Sequence, residues 1–545
     1  MYKDLIAIAQ IDSVSGDFKN NALKVINYIK MAVNYGVSLV VFPQNTLSGN
    51  LIDDVIKKYP YLKNECEKWL NGISSAAANI TVILGYINNS VAVIENGEIK
   101  QIINEFPALY NNICITSGEI IDSDFAVILN NTSGNDVATI HSYASYTASK
   151  FNFPVVYVNS VGSTDNVSYV GSSSVFNVNG DLILRAKAFE EQLISVKFSQ
   201  KGEINSAPFN TEETDEFSLN YENDLERVYK TIIQGIRCYF KKCGLTRAVL
   251  GLSGGLDSSV CAVLLSEALG KENVLGISMP SKITSSESKN DAKQLADNLG
   301  IYFEEAPIKP MVGTAYEYFK ELFSKINWSG RYLKSYTLDN IQARLRAMFL
   351  FGVSNEFSSC IPIATSDKSE SYMGYATING DMSGGFAPIA DVTKTKLFAL
   401  AKWINQNIKN VIPQSIIEKR PGAELAIDPK TGKPLAAEDA LMPYEFLDEV
   451  IWRIENKRES YNEMLNSTFL YEKNNTVTEE QKSEWLNKFF QRMSSALFKW
   501  SIAVPSVILD DFTINKSVYY QPITSGRISY KTLSQDEIIN ICKQI

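Results

Sequence analysis

At 545 residues the chain exceeds what one ordinary hydrophobic core supports, so two or more domains are expected. A hydrophobic fraction of 45% with 21% charged residues is the composition of a soluble globular protein. Lys+Arg 52 against Asp+Glu 61 gives a net charge of −9, which argues against nucleic-acid binding through a basic surface. It leaves open a phosphorylated small molecule held by oriented backbone N–H groups.

The chain opens with the apolar run Leu5-Ile6-Ala7-Ile8-Ala9, read as a buried strand. It is too short for a signal core, and it lacks basic flanks and a small-residue cleavage site. No window reaches the roughly 18 apolar residues of a spanning helix, so a cytoplasmic protein without membrane contact is expected. Phe18 to Tyr35 carries Leu23, Val25, Ile26, Ile29 and Met31 at helical spacing and stops at Gly36. Ser38–Phe42, Val82–Leu84, Phe125–Leu129 and Val155–Val158 read as further buried strands. This alternation predicts an α/β layered domain over 1–200.

The polar, acidic stretch 201–223 reads as a linker, and a second α/β domain is assigned to 224–545. There a helix from Glu226 to Tyr239 precedes the strand Ala248–Leu250, a glycine loop, and a helix from near Ser259 that ends at Gly270. Strand Val274–Ile277, helix Asp291–Leu299 capped by Gly300, and strand Ile301–Phe303 follow, with a later strand over Cys360–Thr365. Short loops and βαβ alternation predict a doubly wound parallel sheet. Seven cysteines show no paired metal spacing and read as reduced thiols, and the single His141 rules out a histidine-rich metal site.

Ser253-Gly254-Gly255-Leu256-Asp257-Ser258 joins strand to helix. Glycines let backbone curl around phosphate oxygens, and a helix start directs free N–H groups at them. Ser253 and Ser258 add hydroxyls. Asp257 is repelled by bare phosphate, which points to a bound Mg²⁺. No Gly-Lys-Ser/Thr follows the glycines, so this is not a Walker loop. It resembles the pyrophosphate loop of the ATP-pyrophosphatases, which cleave ATP between its α- and β-phosphates to adenylate a substrate oxygen.

Several further segments are similar to those of NAD synthetases. They are Asn340-Ile341-Gln342-Ala343-Arg344-Leu345-Arg346, Thr365-Ser366-Asp367-Lys368-Ser369-Glu370, Gly374-Tyr375-Ala376-Thr377, Gly380-Asp381-Met382-Ser383-Gly384-Gly385, Asp391-Val392-Thr393-Lys394 and Arg420-Pro421-Gly422-Ala423-Glu424-Leu425. The resemblance spans about 220 to 525. It implies a ligase, with an adenine nucleotide alpha-hydrolase-like fold, that amidates deamido-NAD to NAD with ATP and Mg²⁺ through an adenylate. It implies ATP contacts at Gly251, Ser253, Gly254, Gly255, Asp257, Ser258, Met279 and Thr365. Substrate contacts are implied at Arg344, Arg346, Asp381, Lys394, Glu424 and Arg492, and Mg²⁺ ligands at Asp257 and Glu370. Asp257, Glu370, Asp381 and Lys394 form the implied catalytic set, with Asp381 an acceptor for an ammonium proton. A homo-oligomer is also implied.

Residue by residue the reading is plainer. Arg344 and Arg346, two apart on a helix, point in different directions, so one is suited to a phosphate and either can be a surface ion pair. Lys394 alone reads as a solvated surface lysine. Ser366-Asp367 stands where the family has Gly-Asn; Asp367 either adds an anion beside ATP or faces away.

Ala9-Gln10, Val40-Val41-Phe42-Pro43, Val155–Asn159, Ser173–Phe176 with Gly180, and Phe189-Glu190-Glu191 resemble the nitrilase-like amidohydrolase domain, an αββα sandwich, fused to glutamine-dependent NAD synthetases. That domain draws ammonia from glutamine with a Glu base, a Lys and a Cys nucleophile. Here Gln44, Ile103 and Ser117 stand at those positions, with Lys100 the nearest lysine and Cys114 a competing alignment for the nucleophile. An amide cannot take the thiol proton as a carboxylate does. Free ammonia is therefore the expected nitrogen source. A cryptic glutaminase through Cys114 and a nucleotide-binding pseudoenzyme are the alternatives.

Overall fold

The computed structural model describes residues 5–133, 137–198, 204–206, 225–327, 335–420, 422, 438, 441–500, 502, 504–509 and 533–544. The chain separates into two compact units, Met1–Cys243 with Val518–Ile545, and Gly244–Ser517.

The first unit carries β1 (Leu5–Gln10), β2 (Leu39–Val41), β3 (Thr81–Ile87), β4 (Ser90–Glu95), β5 (Glu98–Ile103), β6 (Ala108–Tyr110), β7 (Ile113–Thr116) and β8 (Phe125–Asn130). It continues with β9 (Val155–Asn159), β10 (Val161–Thr164), β11 (Val167–Val170), β12 (Ser174–Phe176), β13 (Leu182–Arg185), β14 (Gln192–Phe198) and β15 (Ile204–Ser206). One sheet runs β15-β14-β1-β2-β3-β4-β5, and a second β13-β12-β9-β8-β7-β6. Side chains alternate across β1: Ile6 and Ile8 enter the core between the sheets, while Ala7 and Ala9 face the outer helices. A strand covered on both faces needs a continuous apolar run, which is what Leu5–Ala9 supplies.

Helices α1 (Phe18–Asn34), α2 (Asp53–Lys58) and α3 (Tyr61–Ala76) cover the first sheet, and α4 (Val137–Phe151) covers the second. The result is the αββα sandwich expected of a nitrilase-like domain. Met31 follows the helical spacing of α1 but lies on its exposed face. The C-terminal helix Gln535–Lys543 packs on α3, where Gly72 allows the approach: a Cβ there would sit 2.8 Å from Cys542 Sγ. Within the expected linker, β15 pairs with β14, and the remainder of 201–223 lies outside the described residues. Helix α5 (Leu225–Cys243) packs on β10 and β11, with Gln234 Nε2 donating to the carbonyls of Gly162 and Tyr169, both at 3.0 Å.

The second unit is built on four parallel strands ordered β18-β17-β16-β19: β16 (Arg247–Gly251), β17 (Val274–Ser278), β18 (Tyr302–Glu305) and β19 (Cys360–Pro362). Helices α6 (Leu256–Leu269) and α7 (Ser286–Leu299) connect β16, β17 and β18 outward. Helices α8 (Lys309–Lys325) and α9 (Ser335–Glu356) carry the chain back to β19 on the other side of β16. The sheet order therefore reverses between β16 and β19, the switch point beside which open α/β sheets hold their ligands.

Three of the boundaries that differ from the expected ones have a local cause. Helix α6 starts at Leu256 rather than near Ser259, because Gly255 takes the extended N-cap position. Helix α7 starts at Ser286 rather than Asp291, because the Ser285 side chain caps it by accepting the Ser288 N–H. Strand β19 stops at Pro362. Beyond it the backbone turns to Phe386, whose carbonyl accepts the Ala364 N–H at 3.0 Å.

Candidate active site

The glycine loop follows β16 directly. Gly254 has φ +76, and a Cβ there would lie 2.1 Å from the Ser288 carbonyl oxygen, so only glycine fits. Gly255 caps α6 without a side chain, so no side-chain acceptor serves the first-turn N–H groups. The Gly255 N–H donates to Ser253 Oγ at 3.1 Å, and Ser253 and Ser258 hydroxyls meet at 3.1 Å. The loop is thus pre-shaped, with the positive end of α6 aimed outward. Asp257 and Ser258 belong to the first turn of that helix.

A cavity of about 460 Å³ opens over the carboxyl edge of the sheet, lined among others by Gly251, Ser253, Gly255, Asp257, Met279, Thr365, Glu370 and Asp381. Arg346, Lys419 and Arg420 bring positive charge to its wall. Arg346 Nε donates to the Met279 carbonyl at 3.2 Å, which fixes the guanidinium against β17. Arg344 points elsewhere: it is exposed, its Nε donates to the Ile378 carbonyl at 3.1 Å, and it does not line the cavity. Gly254, Ser258 and Arg492 also lie off the cavity wall, and Glu424 falls outside the described residues.

Behind the loop lies a charged cluster. Helix α10 (Lys368–Tyr372) follows β19, and helix α11 (Lys394–Asn407) begins at Lys394. Lys394 Nζ lies 2.6 Å from Asp257 Oδ1, 2.7 Å from Asp367 Oδ2 and 3.0 Å from Glu370 Oε1. Lys394 is fully buried, so the surface-lysine reading is corrected: three carboxylates compensate its desolvation. Burial works against its charge, yet Asp257, Asp367 and Glu370 together hold its pKa well above the usual lysine value. Burial pushes the Asp367 carboxyl up to about 6 and raises Glu370 well above the usual carboxylate range; Lys394 opposes both shifts.

Asp367 does not face away. It is buried, and its Oδ1 caps α10 by accepting the Glu370 N–H at 2.8 Å while Oδ2 faces Lys394. Ligand oxygens of Asp257, Asp367 and Glu370 all lie within 4.8 Å of one another. Three hard oxygen donors beside a phosphate loop fit Mg²⁺, to which Asp367 adds a third carboxylate that the sequence reading did not assign. Lys368 points the other way, to Asp391 at 3.2 Å and Glu455 at 2.6 Å, and anchors α10 from behind.

Asp381 is held by the Thr377 N–H at 2.6 Å, and burial raises its pKa while that bond opposes the rise. Thr377 in turn donates to Asn340 Oδ1 at 2.7 Å. Two further residues went unnoticed in the sequence. Lys419 Nζ donates to Ser288 Oγ beside Gly254, and Asp448 gathers the Ser369 hydroxyl and Thr395. Lys419 is adjacent to a recognised segment; nothing local marks Asp448.

In the first unit, Gln44 follows β2, Ile103 is the buried last residue of β5, and Ser117 follows β7, exposed. Cys114 is inside β7. Strand alternation turns Ile113 and Ile115 into the core between the sheets and Cys114 toward Ala144 and Ala148 of α4, where it is fully buried.

The model of the NAD synthase family matches residues 228–489. A glutamine-dependent NAD(+) synthetase of Synechocystis sp. is 30% identical over 570 aligned positions, covering 93% of this chain and 96% of that protein. One of Thermotoga maritima is 32% identical, covering 82% and 88%. The crystal structure of a glutamine-dependent NAD(+) synthetase from Cytophaga hutchinsonii superposes with a TM-score of 0.77 at 20% identity over the whole of both chains, which shows a shared fold. The structure of a glutamine-dependent NAD+ synthetase from Acinetobacter baumannii, in complex with ADP, gives a TM-score of 0.69 at 22% identity and covers 98% of this chain and 100% of that one.

Proposed function

The chain belongs to the family of glutamine-dependent NAD(+) synthetases, carbon–nitrogen ligases, and from that premise we propose that it amidates deamido-NAD through an adenylate with free ammonia as nitrogen source. The observation that carries the adenylation is the meeting of Asp257, from the first turn of α6, with Glu370, from the helix after β19, at one cavity. The first-turn N–H groups of α6 and the Ser253 hydroxyl receive the phosphates of ATP. Arg346 and Lys419 balance charge on the wall. Mg²⁺ held by Asp257, Glu370 and Asp367 would supply charge neutralisation of the phosphates.

The nicotinate carboxylate attacks the α-phosphorus; the new O–P bond forms as the bridge to the β-phosphorus breaks and pyrophosphate leaves. Ammonia then attacks the acyl carbon, the C–O bond to AMP breaks, and the excess proton passes to Asp381. A carboxylate whose pKa is raised by burial is suited to that acceptance. The nitrogen source is argued from Gln44, Ile103 and Ser117: none is the base, cation or thiol that a glutaminase employs.

NAD formation from deamido-NAD, ATP and Mg²⁺ tests both parts. Product is expected with ammonium and only background with glutamine. Asp257→Ala should abolish deamido-NAD-dependent exchange of pyrophosphate into ATP. No product with either donor refutes the synthetase reading, and glutamine use that disappears in Cys114→Ala refutes the ammonia reading.

A further inference from the structure

Lys394 holds the centre of the carboxylate cluster. Its ammonium is at 2.6, 2.7 and 3.0 Å from one oxygen each of Asp257, Asp367 and Glu370, the three carboxylates whose ligand oxygens come within 4.8 Å of one another. A divalent cation bound by the same three carboxylates needs the same place. Mg²⁺ takes oxygens at about 2.0–2.1 Å, so the oxygens have to draw in around a smaller centre that the ammonium fills. Two cations side by side in a buried pocket also repel, with little water to screen them. Asp257 and Glu370 reach the cavity wall, whereas Lys394, fully buried, does not.

The geometry points to Lys394 as a built-in counter-ion: its ammonium competes with the divalent cation for Asp257, Asp367 and Glu370, and leaves them when the cation enters. This rests on the cation site proposed above. The consequence is an ordered site. Without the cation, Lys394 neutralises part of the triad and its charge is withheld from the cavity. With the cation bound, the lysine side chain is released. Asp367 sharpens the exchange, because its Oδ1 is fixed as the cap of α10 while its Oδ2 is presented to whichever cation is present. The first turn of α11 holds the backbone of Lys394, and its four-carbon stem gives the ammonium the reach to move off the oxygens.

The test is Mn²⁺ binding to the full chain without nucleotide, followed by loss of the free-ion paramagnetic resonance signal, for wild type, Lys394→Met and Asp367→Asn. Removing the competitor should tighten Mn²⁺ binding by about tenfold or more, and Asp367→Asn should weaken it by about the same factor. In parallel, trace acetylation of wild-type lysines read by mass spectrometry should rise at Lys394 when Mn²⁺ is added. This arm needs no variant to fold. Equal or weaker Mn²⁺ binding by a folded Lys394→Met, or Lys394 labelling that stays suppressed with Mn²⁺ bound, overturns the exchange while leaving the cation site intact. Wild type that binds no Mn²⁺ even with a non-hydrolysable ATP analogue removes the cation site itself.

Discussion

The backbone N–H of Lys394 donates to the hydroxyl of Ser369 at 2.8 Å, tying the first residue of α11 to α10. The same hydroxyl donates to Asp448, whose other oxygen accepts the Thr395 N–H at 2.8 Å and the Thr395 hydroxyl at 2.7 Å. One buried carboxylate, from the helix Tyr444–Trp452, thereby fixes the two segments that present Glu370 and Lys394. Asp448→Asn turns an amide toward at least one of three donors, and an unmet buried donor costs about 1–3 kcal/mol. The expected outcome is a lower melting temperature and a kcat reduced by about tenfold, with KM for ATP little changed because the phosphate loop is untouched. Steady-state kinetics decide it. A proportional rise in KM(ATP) with unchanged kcat contradicts the positioning role.

Gly254→Ala attacks the loop itself. At φ +76 an alanine is strained, and its Cβ would meet the Ser288 carbonyl at 2.1 Å, so the loop has to move off α7. Strain of this kind is worth about 1–3 kcal/mol, which predicts ATP affinity weakened by roughly tenfold to a hundredfold in calorimetric titration. Gly313, on α8 with nothing within 4 Å of its missing Cβ, is the control. Gly313→Ala should leave binding unchanged and raise stability slightly. Unaltered ATP binding in Gly254→Ala would falsify the loop assignment.

The loop and the layers were legible because glycine punctuation and strand periodicity are local properties. Leu5–Ala9 and Ala248–Leu250 declare buried strands by composition alone, and Gly254-Gly255 declares the turn. What escaped the sequence depends on facing. Asp367 is a cap, and its direction follows from where α10 begins. Lys394 looks like a surface lysine until three carboxylates from two other segments close on it. Asp448 lies about eighty positions from Ser369 and more than fifty from Lys394, so only the folded chain brings it under them. Arg344 and Arg346 were separable in advance, since helical geometry alone sends residues two apart to different faces.

His141, the single histidine, gives a clean pH readout. Its Nε2–H donates to the Ser172 carbonyl at 3.0 Å, Nδ1 has no hydrogen-bond partner among the described residues, and the ring packs edge-on against Tyr157 and Phe176. Burial lowers its pKa from 6.5 to about 4, with the Ser172 bond opposing and Arg185 adding to the fall. A depressed folded pKa means the unfolded chain binds the proton first. Stability from this group is therefore full above pH 6.5 and declines as pH falls toward 4, by about 3 kcal/mol in total. The single imidazole resonance of histidine-labelled protein should titrate near 4. His141→Phe should flatten that part of the stability profile, and a titration midpoint near 6.5 contradicts the buried neutral ring.

Cys114 bears on the nitrogen source. A glutaminase nucleophile has to be a thiolate that glutamine can reach. Cys114 meets neither need: it is inside β7 with its side chain under α4, and burial raises its pKa despite a backbone hydrogen bond with Ile121. Reaching glutamine from there requires reversing the alternation of β7, which would turn Ile113 and Ile115 out of the core between the sheets. Iodoacetamide should therefore leave Cys114 unmodified in the folded protein and label it only in denaturant, as peptide mass mapping will report. Cys114→Ala should keep the ammonium-dependent rate within about twofold of wild type, since a buried thiol and a methyl differ chiefly in packing. Rapid alkylation of Cys114 in the native state, accompanied by loss of glutamine-dependent turnover, restores the glutaminase that Gln44, Ile103 and Ser117 argue against.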